Sequence, residues 1–274
     1  MGYYEDALRS LESGATEVDV SYTELTDSQV QVLGEAFGKR GKVVKLNVKC
    51  CWITHSGAAA LAQGIAKCPK LQELVLSYNR ISDSGATALG QVIAKCPQLQ
   101  VLWLNSNQIS DSGATALAQG IAKCPQLQVL DVSNNQISDS GATALIRGVA
   151  KCPHLRELVL ALNQISDSGA TSLAAAIPQW IDLATLELNG NDISTRGLHE
   201  LRRSLQLAKA LRPLRFFVIG GSHSSLESSA SECDQSATKA GQVPSELSPV
   251  AWFVKKDGDN ALLHLVAEYL DRRD

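Results

Sequence analysis

Four Cys-Pro pairs recur every 28 residues along this chain: Cys68-Pro69, Cys96-Pro97, Cys124-Pro125 and Cys152-Pro153. Between them runs one theme, L-x-x-L-x-L-x-x-N-x-I-S-D-S-G-A-T-A-L, with its clearest copies starting at Leu71, Leu99, Leu127 and Leu155. A fixed period of this length restricts the chain to a stack of similar units, each meeting only its neighbours. The register extends both ways without a gap. The fourth position of the theme falls on Val18, Leu46, Leu74, Leu102, Leu130, Leu158 and Leu186, and one more step of 28 lands on Leu214 in LRPLRFFVI. Residues 15–219 therefore read as about seven units and an end strand.

The chemistry of one unit follows from its wording. L-x-x-L-x-L alternates, which makes a short strand with its leucines on a buried face and its variable residues on the other. The Asn column (Asn79, Asn107, Asn135, Asn163, Asn191) sits where the chain turns. A buried Asn there satisfies backbone groups left unpaired by the bend, so stacked units should form an amide ladder. In I-S-D-S-G-A, Ser82 or Asp83 is the expected helix N-cap, and Asp83 also suits the positive helix end. Ala86, Leu89 and Ile93 recur at helical spacing, Lys95 suits the helix C-terminus, and Pro97 stops continuation. Gly85 is expected to allow close packing of helix and loop. The first two units hold Thr23 and Cys51 in place of Asn, as suits units with one side facing water.

This strand–Asn–helix unit resembles the leucine-rich-repeat family, in particular its ribonuclease-inhibitor-like subclass with long helical repeats. The N-x-I-S-D-S-G-A-x-A-L wording is also similar to the repeats of NOD-like receptors. The resemblance implies an α/β fold, a right-handed solenoid of 28-residue repeats with parallel strands on the concave face and helices on the convex face. It also implies a non-catalytic scaffold for protein–protein interaction. Ribonuclease inhibitor tends to carry Cys where this chain has Asn107 or Asn135. GTPase activators of the Ran type share this repeat class, which implies an alternative role as regulator of a small GTPase, with the loop residue Arg80 as a candidate finger.

Other chemistry finds little support. A net charge of −3 in 274 residues argues against nucleic acid as the partner. The opening MGYYEDALRS lacks the apolar run and basic start of a secretory signal, and no apolar stretch approaches a membrane span. Seven cysteines, placed by the repeat, suggest reduced thiols and a cytoplasmic location. Cys68, Cys96, Cys124 and Cys152 form a row rather than the close pairs of a zinc site. GEAFGKRG is one residue short of a phosphate loop and has Arg40 where Ser or Thr is needed. No cofactor, metal or catalytic residue is expected.

The concave face carries the functional expectation. Its central column reads Asp19, Asn47, Val75, Trp103, Asp131, Val159 and Glu187. The candidate protein-binding residues are Glu73, Val75, Tyr78, Val101, Trp103, Asn105, Asp131, Glu157, Val159 and Glu187: an apolar and aromatic patch with an acidic rim. An exposed Trp so placed has hot-spot composition, and the acids favour a basic partner. At the ends, residues 1–14 are expected to form a capping helix, 220–249 a flexible Ser-rich linker, and 250–274 an amphipathic helix that docks in cis or binds in trans.

Overall fold

The structure, a computed structural model, describes residues 2–211. The expected end strand at Leu214, the linker over 220–249 and the helix over 250–274 lie outside the described residues. After an N-terminal helix, α1 (Gly2–Ser13), strands and helices alternate: β1 (Glu17–Asp19), α2 (Asp27–Arg40), β2 (Lys45–Asn47), α3 (His55–Ile65), β3 (Glu73–Val75), α4 (Asp83–Ile93), β4 (Val101–Trp103), α5 (Asp111–Ile121), β5 (Val129–Asp131), α6 (Asp139–Val149), β6 (Glu157–Val159), α7 (Asp167–Ala176), β7 (Thr185–Glu187) and α8 (Thr195–Leu211). The strands make one parallel sheet in chain order, with Val18, Leu46, Leu74, Leu102, Leu130, Leu158 and Leu186 in one row across it.

The core lies between sheet and helices. Leu74 and Leu76 of one unit and Ala86, Leu89 and Ile93 of its helix are fully buried, and the same positions recur in the neighbouring units. The row of thiols at the helix ends is buried too. Cys96 Sγ points at the carbonyls of Cys68 (3.6 Å) and Ile65 (3.9 Å), and Cys124 Sγ at those of Ile93 (3.4 Å) and Cys96 (3.6 Å). Burial pushes the Cys96, Cys124 and Cys152 thiols up to about 12, so they stay protonated and serve as small core residues.

The amide ladder is present. Asn135 Oδ1 accepts from the Ile109 amide of the preceding unit (3.0 Å), while its Nδ2 donates to the carbonyls of Leu104, Val132 and Ser133 (each 3.1 Å). Asn79, Asn107, Asn163 and Asn191 likewise reach back to Val48, Leu76, Val132 and Leu160. At the irregular second unit, Cys51 takes part of this role by donating its thiol to Val20 O (3.1 Å).

The helix caps depart from the expectation. Ser82 stands at the N-cap of α4, but its hydroxyl makes no capping bond, and Asp83 does not cap its own helix. Instead Asp83 serves the next one. Its Oδ1 accepts from the amides of Ser110 (2.7 Å) and Gly113 (3.2 Å), the N-cap and third residue of α5, and Oδ2 accepts from the Ser112 hydroxyl (2.6 Å). Asp111, Asp139 and Asp167 do the same for α6, α7 and α8. α4 does not receive this service, because His55 stands in the Asp column. The glycine of S-D-S-G-A now has a reason. A Cβ on Gly113 would sit 2.6 Å from Asp83 Oδ1 and 2.9 Å from Ile109 Cγ2, closing the approach of the carboxylate.

Burial opposes the charge on Asp83 and Asp111, but hydroxyl and amide donors from the next unit overcome it and hold both carboxyls below their ordinary value. A carboxyl whose pKa is depressed by folding stabilises the fold above its unfolded pKa and loses that contribution as pH falls through its folded pKa. Asp111→Ala is therefore expected to cost about 1 kcal/mol at neutral pH, as helix caps do. The gap to wild type should narrow in acid. Thermal melts of both proteins across the acid range check this; a gap that stays constant down to the lowest pH would sink the charged-cap reading.

Candidate functional site

Side chains on the sheet's solvent face fall into rows, one residue per strand. The first row runs Glu17, Lys45, Glu73, Val101, Val129, Glu157 and Thr185, and the second Asp19, Asn47, Val75, Trp103, Asp131, Val159 and Glu187. Strands about 4.8 Å apart bring neighbours in a row into contact. A third row follows as the strands end: Ser21, Lys49, Ser77, Asn105, Ser133, Ala161 and Asn189.

Trp103 lies at the middle of this grid and keeps 40% of its surface exposed. Val101 and Val129 beside it are half-buried. The expected exposed valine patch is narrower than the sequence suggests: Val75 is only 4% exposed and Val159 only 7%. The reason is their neighbours. Val75 stands between Asn47 and Trp103, and Val159 between Asp131 and Glu187, so longer side chains on both sides roof a short one. Glu73 and Asn105 are half-buried, and Asn105 accepts a hydrogen bond from the Ser77 hydroxyl (2.5 Å). Tyr78 does not belong to a strand; it follows β3 in a left-handed conformation (φ 56).

Charge divides the face. On the N-terminal strands acids are matched: Lys45 pairs with Glu17 at 3.2 Å and Asn47 donates to Asp19 at 3.0 Å. On β5–β7 they are not. Asp131, Glu157 and Glu187 have no base within ion-pair distance among the described residues. Burial raises the pKa of all three. Asp131 repels Glu157, and Glu157 and Asp131 repel Glu187, adding to the effect, while Ser133 tempers the rise at Asp131. Unmatched, partly desolvated carboxylates beside an exposed Trp make a surface that gains from a positive occupant.

A second cluster went unrecognised in the sequence. Lys49 Nζ lies 5.3 Å from the centroid of the Tyr22 ring and 5.1 Å from that of Tyr78, and the Arg80 guanidinium lies 4.1 Å over the Trp52 ring. The available signal was that Tyr22 and Tyr78 share one repeat position, and that Trp52 and Arg80 share another, one repeat apart.

Comparisons with known proteins bear on the repeats. A family model described as Leucine Rich repeats (2 copies) matches residues 69–119, 97–145 and 125–175, and one described as Leucine Rich repeat matches residues 42–62. Among curated proteins none matches. Among solved structures, a chain of the octameric complex of Latrophilin 3 (Lec, Olf), Unc5D (Ig, Ig2, TSP1) and FLRT2 (LRR) is similar at 18% sequence identity with a TM-score of 0.40. That match covers 66% of this chain and 55% of the other, so this chain spans little more than half its length.

Proposed function

Because residues 42–62 and 69–175 are leucine-rich repeats, and proteins built of them generally act as protein-interaction scaffolds, we propose that this chain is a non-catalytic scaffold that grips a basic protein segment on the concave face around Trp103. The observation that carries the reading is the juxtaposition of exposed Trp103 with the unmatched acids of β5–β7. A preformed surface loses little ordering entropy on association, so a buried aromatic anchor contributes most of the affinity. A full helix in every 28-residue unit supports placing the repeats with the ribonuclease-inhibitor-like subclass. The row of buried, protonated thiols supports a reducing, cytoplasmic location. Regulation of a small GTPase is the weaker reading, since Arg80 lies flat on Trp52 rather than extended for insertion.

Trp103→Ala is expected to weaken capture of the partner by about 2 kcal/mol or more, over tenfold, while leaving the thermal melt nearly unchanged. Binding should also weaken as salt rises. Because the pKa of Asp131, Glu157 and Glu187 is raised from the ordinary value, and a basic partner needs them charged, affinity should fall with acid before the depressed caps protonate. Pull-downs of wild type and Trp103→Ala across salt and pH test this. A variant that melts far lower yet binds normally per folded molecule makes Trp103 a packing residue and overturns the site.

A further inference from the structure

Residues at the position just before the Asn column, Tyr22, Cys50, Tyr78, Ser106, Asn134, Leu162 and Gly190, all adopt positive φ, between 51° and 70°. The left-handed turn is thus a property of the repeat. Trp52 is different. It has φ 61, yet its counterparts in the other units, Glu24, Arg80, Gln108, Gln136, Gln164 and Asp192, do not share this conformation. A Trp in the left-handed region is a genuine outlier, and such strain persists where the surroundings hold it for use.

What Trp52 gains is a place on the loop edge, 38% exposed, with Arg80 stacked on its face. Beside it, Tyr22, 54% exposed, and Tyr78 flank the Lys49 ammonium. Rings and cations so arranged fix each other through cation–π attraction, which orients the positive groups and reduces the freedom they lose on binding. Among the described residues neither Lys49 nor Arg80 has a carboxylate within ion-pair distance. The nearby acids are not placed to neutralise them: Asp27 accepts from the Thr54 hydroxyl (3.0 Å), and Glu24 forms no ion pair among the described residues.

We propose that this edge (Tyr22, Lys49, Trp52, Tyr78 and Arg80) docks an acidic segment of a protein partner. Side-chain carboxylates of that segment pair with Arg80 and Lys49, and its backbone and methylenes lie along the Tyr22 and Trp52 rings. Charge complementarity selects this occupant: both cations are unmatched here, while the acids of β5–β7 would repel the same segment from the other half of the strand face. Tyr78, expected from the sequence to belong to the patch around Trp103, is shared with this edge, but neither Trp103 nor the acids of β5–β7 belong to it.

The test uses the full chain and fluorescence anisotropy with a labelled Glu-Gly repeat peptide, a matched Gln-Gly peptide and an oligothymidine strand. The acidic peptide should saturate the protein and release as salt rises. Arg80→Gln, a surface change whose folding is checked by its melt, should weaken it about tenfold. Trp52→Ala should do likewise by freeing the guanidinium, and Trp103→Ala should leave it unchanged. Equal binding of the neutral peptide, wild-type affinity in Arg80→Gln, or tighter binding of oligothymidine than of the acidic peptide would each overturn the proposal.

Discussion

Asn135→Ala should cost about 1–3 kcal/mol in urea melts, the cost of leaving one buried polar group without a partner. The Ile109 amide loses its partner, while the carbonyls of Leu104, Val132 and Ser133 lose one donor each and keep another, from Asn107, Asn163 and the Ser106 amide. The bond to Ser133 O is only part-buried, so water replaces the donor lost there. Hydrogen exchange should accelerate most at the Ile109 amide. Asn135→Cys offers an internal control, because Cys51 fills the same position in the second unit and donates its thiol backward. That variant should regain part of the stability while leaving Ile109 exchange fast. If Asn135→Ala melts with wild type, the amide is not what ties the units together.

Gly120→Val should be of similar size, at about 3 kcal/mol, from the opposite face of the stack. Where α5 crosses α4, a Cβ on Gly120 would fall against the Gly90 carbonyl oxygen and lie 2.9 Å from its carbon and 3.1 Å from its Cα. These are backbone atoms, which cannot swing aside as a side chain does, so the helices must separate and open the core behind them. Thr115→Val puts the same branched side chain on the exposed side of α5 and should change little. Melts of the two variants check the argument; if they coincide, the close approach of α4 and α5 contributes nothing measurable.

The parts of the fold legible in the sequence were those written inside one unit. The period placed Val18 through Leu186 in one row, alternation buried Leu74 and Leu76, and the Asn column announced its own bonds. The cap was missed because its donor and acceptor lie 27 to 30 residues apart: S-D-S-G-A looks like a helix capping itself, and only stacking shows Asp83 turned toward Ser110 and Gly113. The left-handed column was hidden because six of its seven members are not glycine. On the strand face, alternation could point Val75 and Val159 outward but could not tell that Trp103, Asp131 and Glu187 would cover them. Arg80 looked like a lone loop residue because its platform, Trp52, lies a full unit earlier.

The two sets of cross-repeat bonds run in opposite directions along the chain, and this bears on how the protein is made. From α5 onward each helix start is capped by the unit before it, whereas each strand turn is closed by the Asn of the unit after it. During synthesis the N-terminal units emerge first. A nascent helix therefore meets its carboxylate already in place, but the turn just before it stays open until the ribosome has delivered another 26 residues and the next Asn arrives. The leading edge of the growing stack is therefore always one amide short until the next unit is made.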